Sequence, residues 1–267
     1  MAFRLDLESD VPGAVRAVAV EELDDAIAQL RAGRDPVTEV HEARKDLKKV
    51  RSLLRLVRDG MPKHERRRAN GALRDIAASL AGTRDADVMA QTLASLGEPP
   101  PAGFTATARP EIDIATATAA LEAERDAVAG WSLDGVDRAG LATGAAIAYA
   151  RGRREYRRSR RDATVEGLHE WRKRVKDLWY HARLLEAAWP EAFAAIADAA
   201  HSLSDLLGDD HDLGVLAEQV GHDEPELYLR CHRRRAELQD EAFDLGARLY
   251  VEKPRAFARR IASYLAG

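Results

Sequence analysis

The chain has 267 residues, a formal net charge of −4, 6 % aromatic residues and one cysteine. A single cysteine excludes an intramolecular disulfide framework and a cysteine-based zinc site, and it fits a reducing cytoplasm. The first ten residues alternate charged and apolar side chains, and no apolar run approaches the length of a bilayer span. We therefore expect neither a signal peptide nor contact with a membrane.

Apolar residues recur at helical spacing along most of the chain, and no strand-like alternation is found. The predicted helices of the first half are 13–31, 37–59, 62–81, 84–96 and 111–130. Those of the second half are 138–161, 165–188, 190–207, 212–220, 225–250 and 254–265. A proline lies close to five of these starts, where its missing N–H costs little: Pro36, Pro62, Pro190, Pro225 and Pro254. Residues 97–110 are predicted to form a loop, and residues 130–137 the junction between the halves.

Two blocks of sequence occur twice in the same order. His41–Lys48 aligns without a gap on His169–Lys176, and Leu80–Asp85 aligns on Leu206–Asp212 with one inserted residue. We interpret this agreement as an internal duplication. It predicts an all-α fold of two pseudo-symmetric, four-helix-type bundles, the first at 1–133 and the second at 134–267.

Positive charge is concentrated in two windows of the chain. Residues 41–68 hold eleven Lys/Arg and four Asp/Glu, and residues 151–183 hold twelve and five, so each window has a net charge of +7. The remaining residues together carry −18. This segregation is typical of a focused anion-binding surface on an otherwise acidic protein.

In the second helix of each half, a row of cations lies one residue away from the predicted buried face. The first row is His41, Arg44, Lys48, Arg51, Arg55 and Arg58, and the second is His169, Arg172, Lys176, Trp179 and Arg183. We call these rows the first and second stripes. One residue is about 100° of helix rotation, so each stripe should lie beside the core. The first stripe contains no carboxylate, and a polyanion along it would offset the repulsion between its cations. A merely solvated helix face, with His41 and His169 as packing residues, remains the alternative.

Further charged residues lie outside the stripes. Seven arginines occur within residues 151–161, and Arg154, Arg157 and Arg161 are predicted to share one face and join the anion site. Arg84-Asp85 and His211-Asp212 each follow a glycine, and we interpret the aspartates as caps of helix starts. The rival interpretation of His211 and Asp212 is metal-dependent phosphohydrolysis, which needs further ligands.

The repeated His-x-x-Arg-Lys-x-x-Lys motif, at His41–Lys48 and His169–Lys176, is followed in both halves by Leu-x-Gly. This pattern resembles the CHAD family, named for a histidine-containing α-helical domain, from about Val11 to the C-terminus. The resemblance implies one domain made of both halves, with a basic groove or pore between the bundles that binds inorganic polyphosphate. It also implies association with polyphosphate granules. Trp179 departs from the repeat, because the first half has Arg51 there.

The expected function is therefore non-enzymatic binding of inorganic polyphosphate, with no catalytic residue, metal or cofactor, in the cytoplasm or at polyphosphate granules. The predicted polyphosphate-binding residues are His41, Arg44, Lys45, Lys48, Arg51, Arg55, Arg154, Arg157, Arg161, His169, Arg172, Lys173, Lys176 and Arg183. The same cations would also bind a nucleic-acid backbone, so a helical nucleic-acid-binding protein is the alternative. The low aromatic content favours polyphosphate, which has no bases to stack.

Overall fold

A computed structural model describes residues 3–8, 10–81, 85–97, 112–221 and 224–266, and the side chains of residues 85–88 fall outside this description. Within the described residues the fold is all-α, as predicted, and contains no strand. Its helices are α1 (Val11–Ala32), α2 (Pro36–Leu56), α3 (Lys63–Ser79), α4 (Asp85–Ser95), α5 (Ile114–Ala127), α6 (Arg138–Ser159), α7 (Val165–Leu184), α8 (Pro190–Val220), α9 (Pro225–Leu249) and α10 (Pro254–Leu265). The predictions for Gly82, Arg84, the cap at Asp85 and most of the loop 97–110 lie outside the described residues.

Local sequence sets the helix starts. Four helices begin at a predicted proline, and Pro62 directly precedes α3. Elsewhere a side-chain oxygen accepts a hydrogen bond from a free backbone N–H of the first turn, as at Asp10, Asp113, Asp137 and Thr164. The predicted helix 165–188 ends at Leu184 and is followed by the 3-10 turn Glu186–Ala188.

Helix α8 differs from the prediction, because the two helices expected at 190–207 and 212–220 are one continuous helix, Pro190–Val220. Gly208 is buried within it, and a Cβ at this position would lie 2.4 Å from Nη2 of Arg172. Glycine costs a helix about 1 kcal/mol relative to alanine, but here it makes room for a packed guanidinium. Asp212 therefore lies inside a helix, and its interpretation as a helix-start cap is wrong.

The hydrophobic core is continuous across both halves, while a smaller cluster joins α4 to α8 and α9. The junction 130–137 is part of the larger core, since Trp131, Leu133 and Val136 are buried. Backbones also meet closely here: a Cβ on Gly60 would lie 2.3 Å from the carbonyl oxygen of Gly135. The division into 1–133 and 134–267 stays a prediction. None of the described helices combines the length and hydropathy that crossing a membrane requires.

Candidate functional site

The two stripes lie on a pair of antiparallel helices. Arg55 of α2 forms an ion pair with Asp177 of α7, with 2.8 Å between Nε and Oδ1. His181 Nε2 lies 3.0 Å from the carbonyl oxygen of Ser52, so residue numbers rise along α2 as they fall along α7. His41 lies about three helical turns before this contact on α2, and His169 lies about three turns before it on α7. Because the two helices run in opposite directions, His41 and His169 are roughly 35 Å apart. The stripes thus run end to end, with their C-terminal halves side by side.

The first stripe is held by neighbouring helices. Arg44 donates a hydrogen bond to the carbonyl oxygen of Ala77, and Arg51 donates from Nε to Asn70 Oδ1 at 3.2 Å, both acceptors being on α3. The first stripe itself contains no carboxylate, but Asp177 of the other half reaches Arg55. His41 and Lys48 of the first stripe are partly buried, and so is Lys176 of the second stripe.

The second stripe faces α8. The His169 and His211 rings lie 4.8 Å apart, and Arg172 packs against Gly208. Among the described residues, three buried nitrogens here have no hydrogen-bond partner: Nδ1 of His169, Nδ1 of His211 and Nε of Arg172. Burial lowers the pKa of His169, and the positive charge of Lys173 and the neighbouring His211 and Arg172 lower it further. His169 is therefore largely uncharged at neutral pH and could gain a proton only in more acidic solution or beside an anion.

The far end of the second stripe is aromatic. The Trp179 ring stacks on His201 at 4.4 Å and on Tyr180 at 4.7 Å between centroids. The Arg183 guanidinium lies 5.7 Å from the Trp179 ring and 5.5 Å from Phe3. Arg183 thus belongs to a packed cation–π group, which fixes its position.

Several arginines from four helices gather where the stripes approach each other. We call them the central arginine cluster: Arg51, Arg55, Arg58, Arg66, Arg151 and Arg174. Burial lowers the pKa of Arg51, and positive neighbours, first Arg55, add to this. The pKa of Arg151 is lowered in the same way, first by burial and then by Arg58 and Arg174. Mutually repelling, partly desolvated cations of this kind favour the approach of an anion.

Sequence reasoning placed Arg58 on the first stripe but assigned no site to Arg66, Arg151 and Arg174. These three come from α3, α6 and α7. Their only sequence signal is membership of the two +7 windows, because their convergence depends on how the helices pack. Conversely, two motif lysines are already paired with glutamates: Lys45 Nζ lies 2.8 Å from Glu42, and Lys173 Nζ lies 2.6 Å from Glu170.

The α6 arginines form a separate feature. Arg154, Arg157 and Arg161, the last just beyond the end of α6, line a cavity of about 560 Å³ together with Arg153 and Arg158. Pro254 of α10 also bounds this cavity, whereas no stripe residue lines it. In the described part of the chain, no group of three or more His, Cys, Asp or Glu side chains is placed to hold a metal ion.

Comparison with known proteins identifies a family and a similar solved structure. The CHAD domain family model matches residues 15–221. The crystal structure of the CHAD domain from the plant Ricinus communis is 18 % identical in sequence, with a TM-score of 0.49, and the match covers 100 % of this chain and 95 % of that one. No curated protein matches the chain. Because the family model covers well over half of the sequence, this chain belongs to the CHAD domain family.

Proposed function

We propose that this chain binds inorganic polyphosphate along the two stripes and the central arginine cluster. The main support is the placement of the cations. They follow an antiparallel helix pair from His41 to His169 and are densest at the central arginine cluster, where Arg55 lies near Arg51 and Arg58 lies near Arg151. A chain-like polyanion has its charges spaced along a line, which matches this arrangement. Membership of the CHAD family is the second support.

The end-to-end arrangement favours an extended ligand over a compact one. A small phosphate compound can reach one stripe, whereas only a long chain can reach both across roughly 35 Å. A ligand that spans both stripes gains from multivalency, since its second contact is intramolecular. We expect affinity per molecule to rise with polyphosphate length until both stripes are occupied, as measured by calorimetry over graded chain lengths. Equal affinity for short and long chains would contradict a spanning ligand.

The aromatic residue on the second stripe favours polyphosphate over nucleic acid. Proteins that bind single-stranded nucleic acid usually offer aromatic faces to the bases. Trp179 is already stacked on His201 and Tyr180. In a competition assay at equal phosphate concentration, we expect single-stranded RNA and duplex DNA to leave long-chain polyphosphate bound. Displacement by either would establish the nucleic-acid alternative.

Binding without turnover, and targeting to polyphosphate granules, are part of the same proposal. The His211 ring lies 4.8 Å from that of His169, one of the predicted ligand residues, which supports a place for His211 in the binding surface. We expect no phosphate release from polyphosphate with Mg²⁺, Mn²⁺ or Zn²⁺ present. Metal-dependent release that is lost in His211→Ala and Asp212→Ala variants would instead establish a phosphohydrolase.

The direct test is the double variant Arg44→Ala/Arg172→Ala, which removes the equivalent arginine from each stripe. At about 1.5–3 kcal/mol per charged hydrogen bond, we expect long-chain polyphosphate binding to weaken by about 2–4 kcal/mol. Arg233→Ala/Arg259→Ala is the control with the same loss of charge, because both residues are exposed and lie outside the stripes. Equal affinity in the two double variants would rule out the site.

A further inference from the structure

Two adjacent cavities at the C-terminal end of α6 share a wall of arginines. The first, of about 560 Å³, is lined by Arg153, Arg154, Arg157, Arg158 and Arg161, and Asp162 is the acidic residue in its lining. The second, of about 510 Å³, uses Arg153, Arg157 and Arg161 again and adds Arg160. Both have the size of ordinary small-molecule sites, but their walls are far more cationic.

Some arginines of this wall are anchored by a hydrogen bond to the protein, and the others form no ion pair with a described residue. Arg153 donates from Nε to the carbonyl oxygen of Tyr250 at 2.9 Å, Arg154 donates to Glu155 at 2.8 Å, and Arg160 donates to the Tyr156 hydroxyl at 3.1 Å. Among the described residues, Arg157, Arg158 and Arg161 have no carboxylate within ion-pair distance. Three exposed guanidiniums that form no ion pair with the described residues thus lie together, with Asp162 as the acidic residue in the same lining, beside anchored arginines that define the wall.

Aromatic packing fixes the segment that joins α9 to α10, whose Tyr250, Val251 and Pro254 line the cavities. Tyr149 of α6 stacks on Phe257 of α10 with 3.8 Å between ring centroids, and its hydroxyl donates to the carbonyl oxygen of Glu252 at 3.0 Å. Gly152 lies directly on Tyr250, where a Cβ would come within 2.2 Å of the hydroxyl oxygen. The turn between α9 and α10 is therefore held against α6, so the cavities exist before any ligand arrives. A preformed site loses less entropy on binding.

One side of the wall faces away from the stripes. Gly144 of α6 packs against the Leu56 carbonyl of α2, where a Cβ would lie 2.0 Å from the oxygen. Arg153 follows Gly144 by two and a half helical turns, which places it on the opposite side of α6. A chain lying along α2 and α7 would therefore not reach Arg153. No stripe residue lines either cavity, so the cavities are distinct from the stripes. The assignment of Arg154, Arg157 and Arg161 to the polyphosphate path stays a prediction.

We propose that these cavities are a second anion site that binds a compact, densely charged oligophosphate. Guanidinium groups donate paired hydrogen bonds to phosphate oxygens, and several converge here on a cavity of about 560 Å³. A single phosphate would satisfy few of them, whereas three or more linked phosphates would engage Arg157, Arg158 and Arg161 together. This site does not rest on polyphosphate binding by the stripes.

The test is a calorimetric titration of the whole chain with inorganic tripolyphosphate. We expect saturable binding that weakens about tenfold or more in Arg157→Ser/Arg161→Ser, since each guanidinium contributes charged hydrogen bonds. Both residues are exposed and have no described partner, so the variant should fold, and circular dichroism checks this. Arg233→Ser/Arg259→Ser is the charge-matched control and should bind like the unaltered chain.

The stripe variant Arg44→Ala/Arg172→Ala separates the two sites. It should keep tripolyphosphate binding, while Arg157→Ser/Arg161→Ser should keep binding of long-chain polyphosphate. Absence of tripolyphosphate binding to the unaltered chain would overturn the second site. So would a loss that occurs in the stripe variant but not in the cavity variant, or an equal loss in the charge-matched control. Failure of the stripes to bind long-chain polyphosphate would leave the second site unaffected.

Discussion

In the first half of the chain, Lys49 lies between two carboxylates, 2.7 Å from both Glu22 and Asp46. At the equivalent position of the second half, Asp177 lies between two arginines, 2.8 Å from Arg55 and 3.2 Å from Arg174. The duplication has thus kept an ion cluster at one place while reversing its signs. The reversal changes what the cluster connects: Lys49 ties α2 to α1 within one half, whereas Asp177 ties α7 to α2 across the halves.

We expect the largest loss of folding stability from breaking the Lys49 cluster, which is the more buried of the two. Glu22 and Asp46 are 4 % and 6 % exposed, and burial raises the pKa of Glu22 to about 7 despite the opposing effect of Lys49. Replacing Lys49 by Met leaves both carboxyl groups buried without their cation, so we expect a loss of about 3–5 kcal/mol in the free energy of unfolding. Chemical denaturation followed by circular dichroism measures it.

Asp177→Asn is the matched change in the second half. The side chains of Arg55 and Arg174 are 29 % and 25 % exposed, so water can solvate them once Asp177 is neutral. We expect a smaller loss, about 1–2 kcal/mol. Equal losses in the two variants would show that the reversed clusters are energetically equivalent.

His181 offers a second contrast, because it occupies the position that Leu53 fills in the first half, and both are buried. Burial lowers the pKa of His181 to about 4, so the ring is neutral in the folded chain and donates to the Ser52 carbonyl. The unfolded chain takes up this proton near pH 6.5. Stability from this residue is therefore fully present above pH 6.5 and falls by about 3 kcal/mol as the pH drops towards 4.

His181→Leu copies the first half and should remove that fall, at a cost of about 1 kcal/mol at pH 7.5 for the lost hydrogen bond. The raised pKa of Glu22 makes the chain more stable as the pH falls, which opposes the effect of His181. Glu22 is present in both proteins, so its effect cancels when their stabilities are subtracted. Urea titrations between pH 7.5 and 4.5 measure that difference. A variant with the same pH dependence as the unaltered chain would contradict a neutral buried His181.

The contrast between the halves also explains which features could be predicted from sequence. Helix starts at prolines and the one-residue offset of the stripes are local properties, so Pro190, Arg44 and Arg172 were placed correctly on their helices. Gly208 was misjudged because a glycine before two aspartates usually ends a helix. Its role depends on the Arg172 guanidinium, which arrives from another helix.

Contacts between the halves could not be predicted from the sequence either, because they too depend on side chains from other helices. The pairing of Arg55 with Asp177 joins residues far apart in sequence, and the repeat gave no hint of it, because the equivalent position in the first half is a lysine. The central arginine cluster likewise depends on how α3 and α6 pack beside α2 and α7. Periodicity shows which face of a helix is cationic, but it does not show which other helices that face meets.

A further prediction concerns the two equivalent arginines of the stripes and rests on the proposed function. Arg44 already donates to the Ala77 carbonyl, whereas the buried Nε of Arg172 has no hydrogen-bond partner among the described residues. A bound phosphate could therefore accept a hydrogen bond from Arg172 Nε that no described residue accepts. We expect Arg172→Ala to weaken long-chain polyphosphate binding by about 1.5–3 kcal/mol, and Arg44→Ala by less. Calorimetry of the single variants tests this, and a larger loss in Arg44→Ala would reverse the assignment.

The smallest effect should be the pH dependence of binding through His169. Burial, followed by Lys173, His211 and Arg172, lowers the pKa of this ring, and Glu170 opposes them. A bound polyanion favours the protonated ring, so affinity should be flat between pH 7 and 8 and rise below about 6.5. The rise should stay under about tenfold per pH unit, because one proton is involved. His169→Gln keeps a polar side chain of similar length and should flatten the profile, whereas an unchanged profile would leave His169 a packing residue and assign the pH dependence to another group.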